Sequence, residues 1–372
     1  MKIARAEVFP LLIPYKTDFN IARGKIGGGN AKRTVVLLKL TDEDGFVGWG
    51  EGSPSYLWSS ETLESVTSTL VNYLIPSIIG VSIHNIDGLH RQMEGAIGPA
   101  ISTSHPIAKC AIDTALHDLL GRRLGLSICQ MWGYERGDEA TLSWTVSANN
   151  LEKAKLVVEE GIMKGYQNFN IKLGSDIKFD IQLCELIKNM VPNGYLWGDA
   201  NGGYSFTDAI RYISSLEDAG LDLLEQPFSS NELSLWKEFK KYIQIPIAVD
   251  EAILSAKDLM EWIKQNLVTA FSTKVTRNGG LLPSRQCVEI AEHAGLHIVS
   301  SGLTETGVGL AANLHLSCAF GICYPCAWNG PQFLADDILL KSLEIESGKI
   351  KLPSGPGLGV EVDEEKVKFL SN

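Results

Sequence analysis

Basic charge, paired cysteines and long apolar runs are what this sequence has little of. It carries 33 Lys and Arg residues against 44 Asp and Glu residues, which gives a formal net charge of -11. A surface that binds nucleic acid needs clustered basic residues to neutralise phosphates, and no basic run of that kind occurs, so we expect no nucleic-acid partner. The seven cysteines are odd in number and scattered through apolar segments, which is typical of reduced core thiols and not of a disulfide framework.

Membrane and export signals are missing as well. No stretch approaches the roughly 18 to 20 consecutive apolar residues that span a bilayer, and residues 1–7 lack the cationic start and apolar core of a signal peptide. The sequence therefore predicts a cytoplasmic protein with no membrane partner. Its 372 residues are 45% hydrophobic and 21% charged, which fits two domains or one large barrel with additions.

The first third of the chain, residues 1–125, predicts an α+β domain. Strands are expected over 3–13, 35–40 and 46–51, the last two joined by an acidic, glycine-containing turn. From residue 60 onward, and again over 108–120, apolar residues recur at helical spacing. The last segment, 333–372, is extended and rich in turns, and we expect it to return to this first domain.

Residues 126–332 repeat one pattern, in which a short apolar run precedes an amphipathic segment of helix length. The runs read as buried parallel strands. They cover 142–147, 168–173, 195–200, 221–226, 245–250, 270–275, 297–302 and 323–329. Eight such units predict a βα barrel. The alternative is a doubly wound open sheet, but no Gly-x-Gly-x-x-Gly follows an early strand.

Ionisable residues stand at the ends of five consecutive runs. They are Lys172, Asp199, Glu225, Asp250 and Lys274. The carboxyl ends of barrel strands meet at one mouth, where barrel enzymes carry their active sites. One such residue alone is more often a solvated loop residue, but five in phase predict a joint site.

The three acids predict a metal site. Asp199, Glu225 and Asp250 come from adjacent strands and converge, and buried carboxylates repel one another unless a cation neutralises them. An all-oxygen ligand set suits Mg²⁺, with Mn²⁺ as an alternative. Neighbouring strand residues point to opposite faces, so the ligand set shifts by one residue if Glu251 faces inward.

The two amines predict proton transfer. The second and sixth strands of an eight-stranded ring face each other, so Lys172 and Lys274 approach one point from two sides. A lysine amine, with an ordinary pKa of about 10.4, is a weak base, and burial beside a dication favours its neutral form. One amine can then remove the proton α to a carboxylate, and the other can return a proton to the opposite face of the enediolate. This predicts a racemase or epimerase.

Five motifs carry a family resemblance, and as a set they are highly specific: Asn170-Ile171-Lys172, Asp199-Ala200-Asn201, Glu225-Gln226-Pro227, Asp250-Glu251 and Lys274-Val275-Thr276-Arg277-Asn278-Gly279-Gly280. Over essentially the whole chain the sequence resembles the enolase superfamily, in its muconate lactonizing enzyme branch. The resemblance implies an α/β fold, a modified TIM (β/α)7β barrel with an α+β capping domain built from both chain ends. It also implies Mg²⁺ on the three acids, Lys172 and Lys274 as the acid/base pair, and a small carboxylate substrate. We further expect a homo-oligomer.

Two positions depart from patterns of the superfamily. A Lys-x-Lys motif is common in this branch, and here its first position is Asn170. Some relatives that epimerise proline betaines also carry a neutral residue at that position. The mandelate racemase branch uses a His on strand seven, but His297 stands at the start of that strand, at the wrong end for catalysis. We therefore expect His297 to be structural.

The resemblance implies that substrate specificity comes from capping-domain loops and from the eighth strand. Residues 21–30 match the position of the mobile lid, where Arg23 or Lys25 would contact an anionic group, the alternative being a plain flexible loop. This loop is not a phosphate-binding loop, because no Gly-Lys-Ser/Thr follows its glycines. The substrate-binding residues that we predict are Arg23, Lys25, Trp58, Asn170, Asn201, Glu305, Trp328 and Asn329.

Four tryptophans suggest a substrate that carries an amine. Trp58, Trp144, Trp197 and Trp328 would attract a protonated or quaternary amine through their ring faces. This predicts an amino-acid-like carboxylate of the proline type, while the alternative is that these rings only fill the barrel. The eighth run lacks the Asp-x-Asp of the family's dipeptide epimerases.

The same residues also suit other functions. The same enediolate chemistry serves a dehydratase of a β-hydroxy acid such as 3-hydroxyproline, or a muconate-type cycloisomerase. A non-catalytic barrel and an aldolase that uses Lys172 as a Schiff-base nucleophile are two further alternatives.

Overall fold

A three-stranded antiparallel sheet and a small hairpin open the fold. The structure is a computed structural model that describes residues 1–98 and 102–371. The strands are β1 (Ile3–Pro14), β2 (Phe19–Ile21), β3 (Gly24–Gly27), β4 (Lys32–Asp42) and β5 (Val47–Gly52). The sheet has the order β1-β4-β5, and β2 pairs with β3 separately. The three strands predicted for this region are thus confirmed.

Helices cover one face of this sheet. They are α1 (Leu63–Thr69), which continues through a π-helical turn (Leu70–Leu74) into α2 (Ile75–Ile78), then α3 (Ile86–Ala96), α4 (Pro106–Leu124) and α5 (Ile128–Trp132). Glycines on one face of β5 let the backbone of α4 approach closely, because a Cβ at Gly50 would lie 2.0 Å from the Ala111 carbonyl oxygen. Almost all of α4 is buried as a result.

A curled parallel sheet forms the second part of the molecule. After the short strand β6 (Glu139–Thr141), its seven strands are β7 (Ser143–Val146), β8 (Asn168–Lys172), β9 (Leu196–Asp199), β10 (Leu223–Glu225), β11 (Ile247–Val249), β12 (Ala270–Thr273) and β13 (His297–Ser300). They pair in sequence order from β7 to β13. The helices that alternate with them are α6 (Leu151–Met163), α7 (Ile177–Met190), α8 (Phe206–Asp218), α9 (Leu233–Phe239), α10 (Ala256–Lys264), α11 (Val275–Asn278), α12 (Leu281–His293), α13 (Gly307–Phe320) and α14 (Gly330–Phe333). This is the modified TIM barrel that the sequence predicts.

The prediction of an eighth strand over residues 323–329 is wrong. This segment closes the barrel through two isolated parallel bridges, from Cys326 to Leu142 on one side and from Ala327 to Ser301 on the other. The backbone N–H of Ser143 donates to the Cys326 carbonyl at 2.9 Å, and that of Ala327 donates to Ser300 at 2.9 Å. The segment changes neighbours after one residue, so no regular ladder forms.

The C-terminal segment contacts both parts of the chain. Strands β14 (Ile345–Glu346) and β15 (Lys349–Lys351) extend a sheet from β6, while α15 (Glu364–Leu370) packs on β1. The domain limits at residues 125 and 332 stay a prediction. All seven cysteines are unpaired thiols. Within the described residues, no helix combines the length and apolar character that crossing a membrane requires.

Candidate active site

Three buried carboxylates meet at one mouth of the barrel. Asp199 ends β9, Glu225 ends β10 and Asp250 follows β11, and the parallel register places Glu225 opposite Asp199. One oxygen from each residue lies within 4.8 Å of the others. Neighbouring parallel strands therefore bring together three acids that are 25 or more residues apart in the sequence.

Neighbouring groups orient the outer two acids of this cluster. The Lys172 amine donates to Asp199 Oδ2 at 2.7 Å, and the Asn201 backbone N–H donates to Asp199 Oδ1 at 2.9 Å. Asp250 accepts from Lys274 and from the buried guanidinium of Arg277. Each outer acid thus contacts a cation.

The middle acid, Glu225, has a different environment. Its Oε2 accepts from the indole N–H of Trp197 at 2.7 Å, and its Oε1 is buried with no partner among the described residues. Burial and, after it, the charge of Asp199 raise the pKa of Glu225 from 4.5 to about 6. The cluster thus holds a carboxylate oxygen that is aimed at no protein donor.

A fourth carboxylate, Glu251, adds to this charge. Both of its oxygens are buried without a partner among the described residues, and burial followed by Asp199 raises its pKa to about 7. Both residues of the Asp250-Glu251 pair therefore lie at the site, and Asp250 is the one in the compact cluster. Unpartnered carboxylate oxygens in an all-oxygen set are what a divalent cation such as Mg²⁺ would satisfy, so the donors fit the predicted metal.

Backbone conformation at the strand ends is unusual. Asn201, Gln226 and Thr304 follow β9, β10 and β13 with φ angles of 43°, 42° and 59°. Left-handed conformations cost free energy in residues other than glycine and concentrate at functional sites. The Gln226 side chain uses its position to accept from the Asp250 N–H at 2.9 Å and to donate to the Phe228 carbonyl at 2.8 Å, which ties the ends of β10 and β11 together.

The two lysines flank the acids within a single cavity. Three strands separate β8 from β12 in the sheet, Lys172 contacts Asp199 at one end of the acid row, and Lys274 contacts Asp250 at the other. Both lysines and Glu225 line the same cavity. The Lys274 amine also lies 4.4 Å from the ring centroid of Trp58, which reaches over from the loop after β5.

Four of the eight predicted substrate-binding residues line this cavity: Trp58, Asn170, Asn201 and Asn329. The side-chain amide oxygens (Oδ1) of Asn170 and Asn201 are buried without a hydrogen-bond donor among the described residues. The Asn329 side-chain oxygen, Oδ1, accepts a hydrogen bond from the Thr304 hydroxyl at 3.0 Å.

The other four lie outside the cavity lining. Arg23 is exposed, and Lys25 pairs with Asp18 at 2.8 Å on the surface. Glu305 is buried, and its pKa is raised by burial and by the nearby Glu51. The Trp328 indole N–H donates to the Ser300 hydroxyl at 3.1 Å inside the barrel. The structure therefore does not place these four side chains where a ligand in the cavity would meet them.

The predicted group of four tryptophans is not assembled. Trp58 alone of the four lines the cavity. Trp197 lies in the barrel interior behind Glu225, and Trp144 packs against Tyr166 with ring centroids 5.0 Å apart. These two rings, like Trp328, fill core space, which was the alternative reading of the sequence.

Residues of the predicted lid segment, 21–30, do form one wall of the cavity, but the sequence did not predict that this wall is apolar. Phe19, Ile21 and Ile26 of the β2–β3 hairpin line the cavity, together with Arg33. The Arg33 guanidinium is buried and donates to the carbonyls of Ser53, Pro54 and Thr304, which joins two capping-domain segments to the barrel rim. The only signal for it was a basic residue at the start of an apolar strand.

Comparison with known proteins covers the whole molecule. Residues 13–133 match the family described as mandelate racemase / muconate lactonizing enzyme, N-terminal domain, and residues 151–366 match the one described as enolase C-terminal domain-like. The chain is similar to N-succinyl-L-Arg/Lys racemase from Bacillus cereus, with 26% identity over 100% of this chain and 98% of that protein. It is also similar to chloromuconate cycloisomerase from Pseudomonas putida, with 32% identity over 91% of this chain and 92% of that one.

A solved structure confirms the architecture. The fold matches that of muconate lactonizing enzyme from Pseudomonas fluorescens complexed with muconolactone, with a TM-score of 0.93 over 99% of each chain. At 24% identity this likeness speaks for the fold alone.

Proposed function

The chain belongs to the mandelate racemase and muconate lactonizing enzyme family of the enolase superfamily, and on that premise we propose that it racemises or epimerises an amino-acid-like carboxylate. The observation that carries the proposal is the placement of Lys172 and Lys274 at the two ends of the acid row within one cavity. An inversion at carbon needs a proton donor and an acceptor on opposite faces. Two amines supply both.

The acids supply the metal site in this proposal. Asp199, Glu225 and Asp250 would hold Mg²⁺, or Mn²⁺ in its place, and Glu251 adds charge beside them. The cation, when bound, would stabilise the negative charge that develops on the substrate carboxylate.

The side chains around the acids do the rest of the work. One lysine amine takes the α-proton from the bound carboxylate, and the other donates a proton to the opposite face of the enediolate, which leaves the α-carbon inverted. The apolar wall of Phe19, Ile21 and Ile26 keeps bulk water from reprotonating the enediolate at random.

The asparagines support a substrate that carries an N–H group. The unpartnered side-chain oxygens of Asn170 and Asn201 would each accept a hydrogen bond, and an amine or amide of the substrate would supply the donor. A proline-type amino acid and an N-acyl amino acid both meet this requirement. The cavity, and not a group of four tryptophans, is the basis for this part of the proposal.

A second candidate is cycloisomerisation of a muconate-type dicarboxylate. It is favoured by the 32% identity to a chloromuconate cycloisomerase, which exceeds the 26% identity to the racemase. That reaction needs proton transfer at one face of the substrate only, so it requires only one of the two lysine amines.

Incubation in D₂O separates these reactions. We would offer the protein with Mg²⁺ single enantiomers of proline derivatives and N-acyl amino acids, and cis,cis-muconate in parallel. α-Deuteration with loss of optical purity supports the proposal. Lactone formation from muconate without exchange of any amino acid, elimination of water without exchange, or a substrate adduct trapped on Lys172 by borohydride would each overturn it.

A further inference from the structure

A buried carboxylate of the capping domain lies beneath the segment that carries Lys274. Asp113 stands in the middle of α4 and is fully buried. Its Oδ1 accepts the backbone N–H of Leu281 at 2.5 Å, and the N–H of Leu282 lies 3.4 Å from the same oxygen. These are the first two residues of the barrel helix α12, so an acid of one domain caps a helix of the other.

Two histidines of the capping domain orient this acid. His90 of α3 lies with its Nε2 2.6 Å from Asp113 Oδ2, and His117, one turn further along α4, lies with its Nδ1 3.3 Å from Asp113 Oδ1. The charges of these two histidines and their hydrogen bonds hold the pKa of Asp113 well below its usual range despite burial. The carboxylate is therefore an ionised and fully engaged acceptor.

The pair Gly279-Gly280 makes this approach possible. A Cβ at Gly280 would lie 2.3 Å from the Cβ of Asp113, a distance that no packed side chain tolerates, and φ at Gly280 is 118°. The second glycine of the family motif is thus required both by its own left-handed backbone and by the close approach of Asp113.

A series of hydrogen bonds connects Gly280, which contacts Asp113, with Lys274. The Gly280 N–H donates to the Val275 carbonyl at 2.9 Å, and the Asn278 N–H donates to the Lys274 carbonyl at 3.0 Å. The Asn278 side chain accepts from the Lys274 backbone N–H at 3.2 Å and donates to the Ile253 carbonyl at 3.1 Å. The single turn α11 is therefore fixed at both ends.

We propose that Asp113 is a positioning residue for Lys274 and acts on one of the two amines alone. Lys172 is held differently, because the loop after it is anchored by Asp180 of the barrel helix α7, whose Oδ2 accepts from the Gly174 N–H at 3.0 Å. The capping domain thus sets the position of the base on one face of the substrate. The assignment of proton transfer to Lys274 rests on the proposed function.

The test measures α-proton exchange of each substrate enantiomer separately. Lys274→Ala and Lys172→Ala first show which enantiomer each amine deprotonates. Asp113→Asn should then slow the Lys274-dependent exchange by about 10- to 100-fold, because small displacements of a catalytic group are costly, and slow the Lys172-dependent exchange by less than about twofold. Equal slowing of both exchanges would show a general structural role and overturn the proposal.

A matched control is available in the same interface. Glu51 of β5 caps the barrel helix α13, with its Oε1 accepting the Thr306 N–H at 3.0 Å and its Oε2 accepting the Gly309 N–H at 2.8 Å. Glu51→Gln disturbs a similar interdomain cap, but among the described residues α13 is hydrogen-bonded to α11 only through the Asn313 side chain, which accepts the Val275 N–H at 3.3 Å. The ratio of the two exchange rates should therefore change much less than in Asp113→Asn. If Asp113→Asn does not fold, His90→Ala removes one orienting group and should give the same asymmetry at smaller amplitude.

A readout without substrate separates this proposal from the proposed function. Brief reductive methylation with formaldehyde and cyanoborohydride, followed by mass spectrometry, gives the labelling rate of each lysine. Asp113→Asn should change the rate at Lys274 by severalfold and leave the rate at Lys172 unchanged. If the unmodified protein exchanges no α-proton and this selective change is still seen, the proposed function fails while the positioning role stands; an unchanged rate at Lys274 refutes the positioning role.

Discussion

Substitution of Glu225 by Gln should make the metal-free protein more stable and the magnesium-loaded protein less stable. Asp199 forms an ion pair with Lys172, and Asp250 forms ion pairs with Lys274 and Arg277. Glu225 forms no such pair among the described residues: it accepts from the Trp197 indole, and the Ser272 hydroxyl and the charges of the two lysines offset only part of the cost of its burial. Its charge is thus the least compensated among the three clustered acids. A Gln side chain keeps the size and the bond to Trp197, and its amide N–H groups can donate to the neighbouring acids.

The size of the effect follows from the raised pKa of Glu225, about 6 against 4.5 in the unfolded chain. Because the folded state binds this proton more tightly, stability is highest at or below pH 4.5 and is lost as the pH rises through 6. The difference corresponds to about 2 kcal/mol above pH 7. With an unfolding entropy of about 2.1 cal/mol/K per residue, that equals a shift of about 2 to 3 °C in Tm for a chain of this length.

Thermal unfolding followed by circular dichroism checks this at pH 4.5 and pH 8. In EDTA at pH 8, Glu225→Gln should unfold about 2 to 3 °C above the unmodified protein, and the gap should close at pH 4.5. Mg²⁺ at about 100 times its Kd should add about 2.7 kcal/mol to the unmodified protein and little to the variant, which reverses the order.

The control is Glu185→Gln, which removes the same charge from an exposed face of α7 and should change stability by less than about 0.5 kcal/mol at either pH. If Glu225→Gln unfolds below the unmodified protein in EDTA at pH 8, the inference of an uncompensated charge at this position is wrong.

Three further predictions concern the cavity wall, the sheet and the chain's C-terminal segment. Trp58→Leu removes the ring 4.4 Å from the Lys274 amine and should lower kcat up to about tenfold in steady-state assays, the worth of a cation–π contact. Gly50→Ala places a methyl group 2.0 Å from a carbonyl of α4 and should cost at least about 1 to 3 kcal/mol in urea unfolding, whereas Gly95→Ala, with open space around it in α3, should stabilise by up to about 1 kcal/mol. Asp118→Ala leaves two buried backbone N–H donors without an acceptor and should cost about 3 kcal/mol, with faster proteolysis of the C-terminal segment.

The acid and lysine positions were predictable because a parallel barrel repeats. Each βα unit returns the chain to the same mouth, so residues in phase at strand ends, such as Lys172, Asp199 and Lys274, share one height and one direction. The structure brings them into one cavity on that basis. Arg277 escaped the same reasoning, since its contact with Asp250 depends on the single turn of α11 and not on strand periodicity.

The capping wall of the cavity was less predictable because docking between distant segments decides it. The β2–β3 hairpin is held on the barrel by Asn20, whose backbone N–H donates to the Ser147 hydroxyl at 2.9 Å while its carbonyl accepts from that hydroxyl at 2.8 Å. This places Ile21 and Ile26 inward and leaves Arg23 at the surface. The sequence prediction placed Arg23 or Lys25 toward the substrate because of their charge. Local sequence does not show which side of a short hairpin packs against the barrel.

The capping domain and the barrel share buried charges in a way that bears on both stability and catalysis. Glu51 and Asp113 are acids of the capping domain whose hydrogen-bond donors include the first N–H groups of α13 and α12, on the far side of the domain boundary. A buried carboxylate deprived of its donors costs several kcal/mol, so an interface that buried either acid without these N–H groups would be strongly destabilised. The same contacts place the elements that follow β12 and β13. An exchange of capping domains between relatives therefore has to preserve these acids before its loops can be expected to transfer specificity.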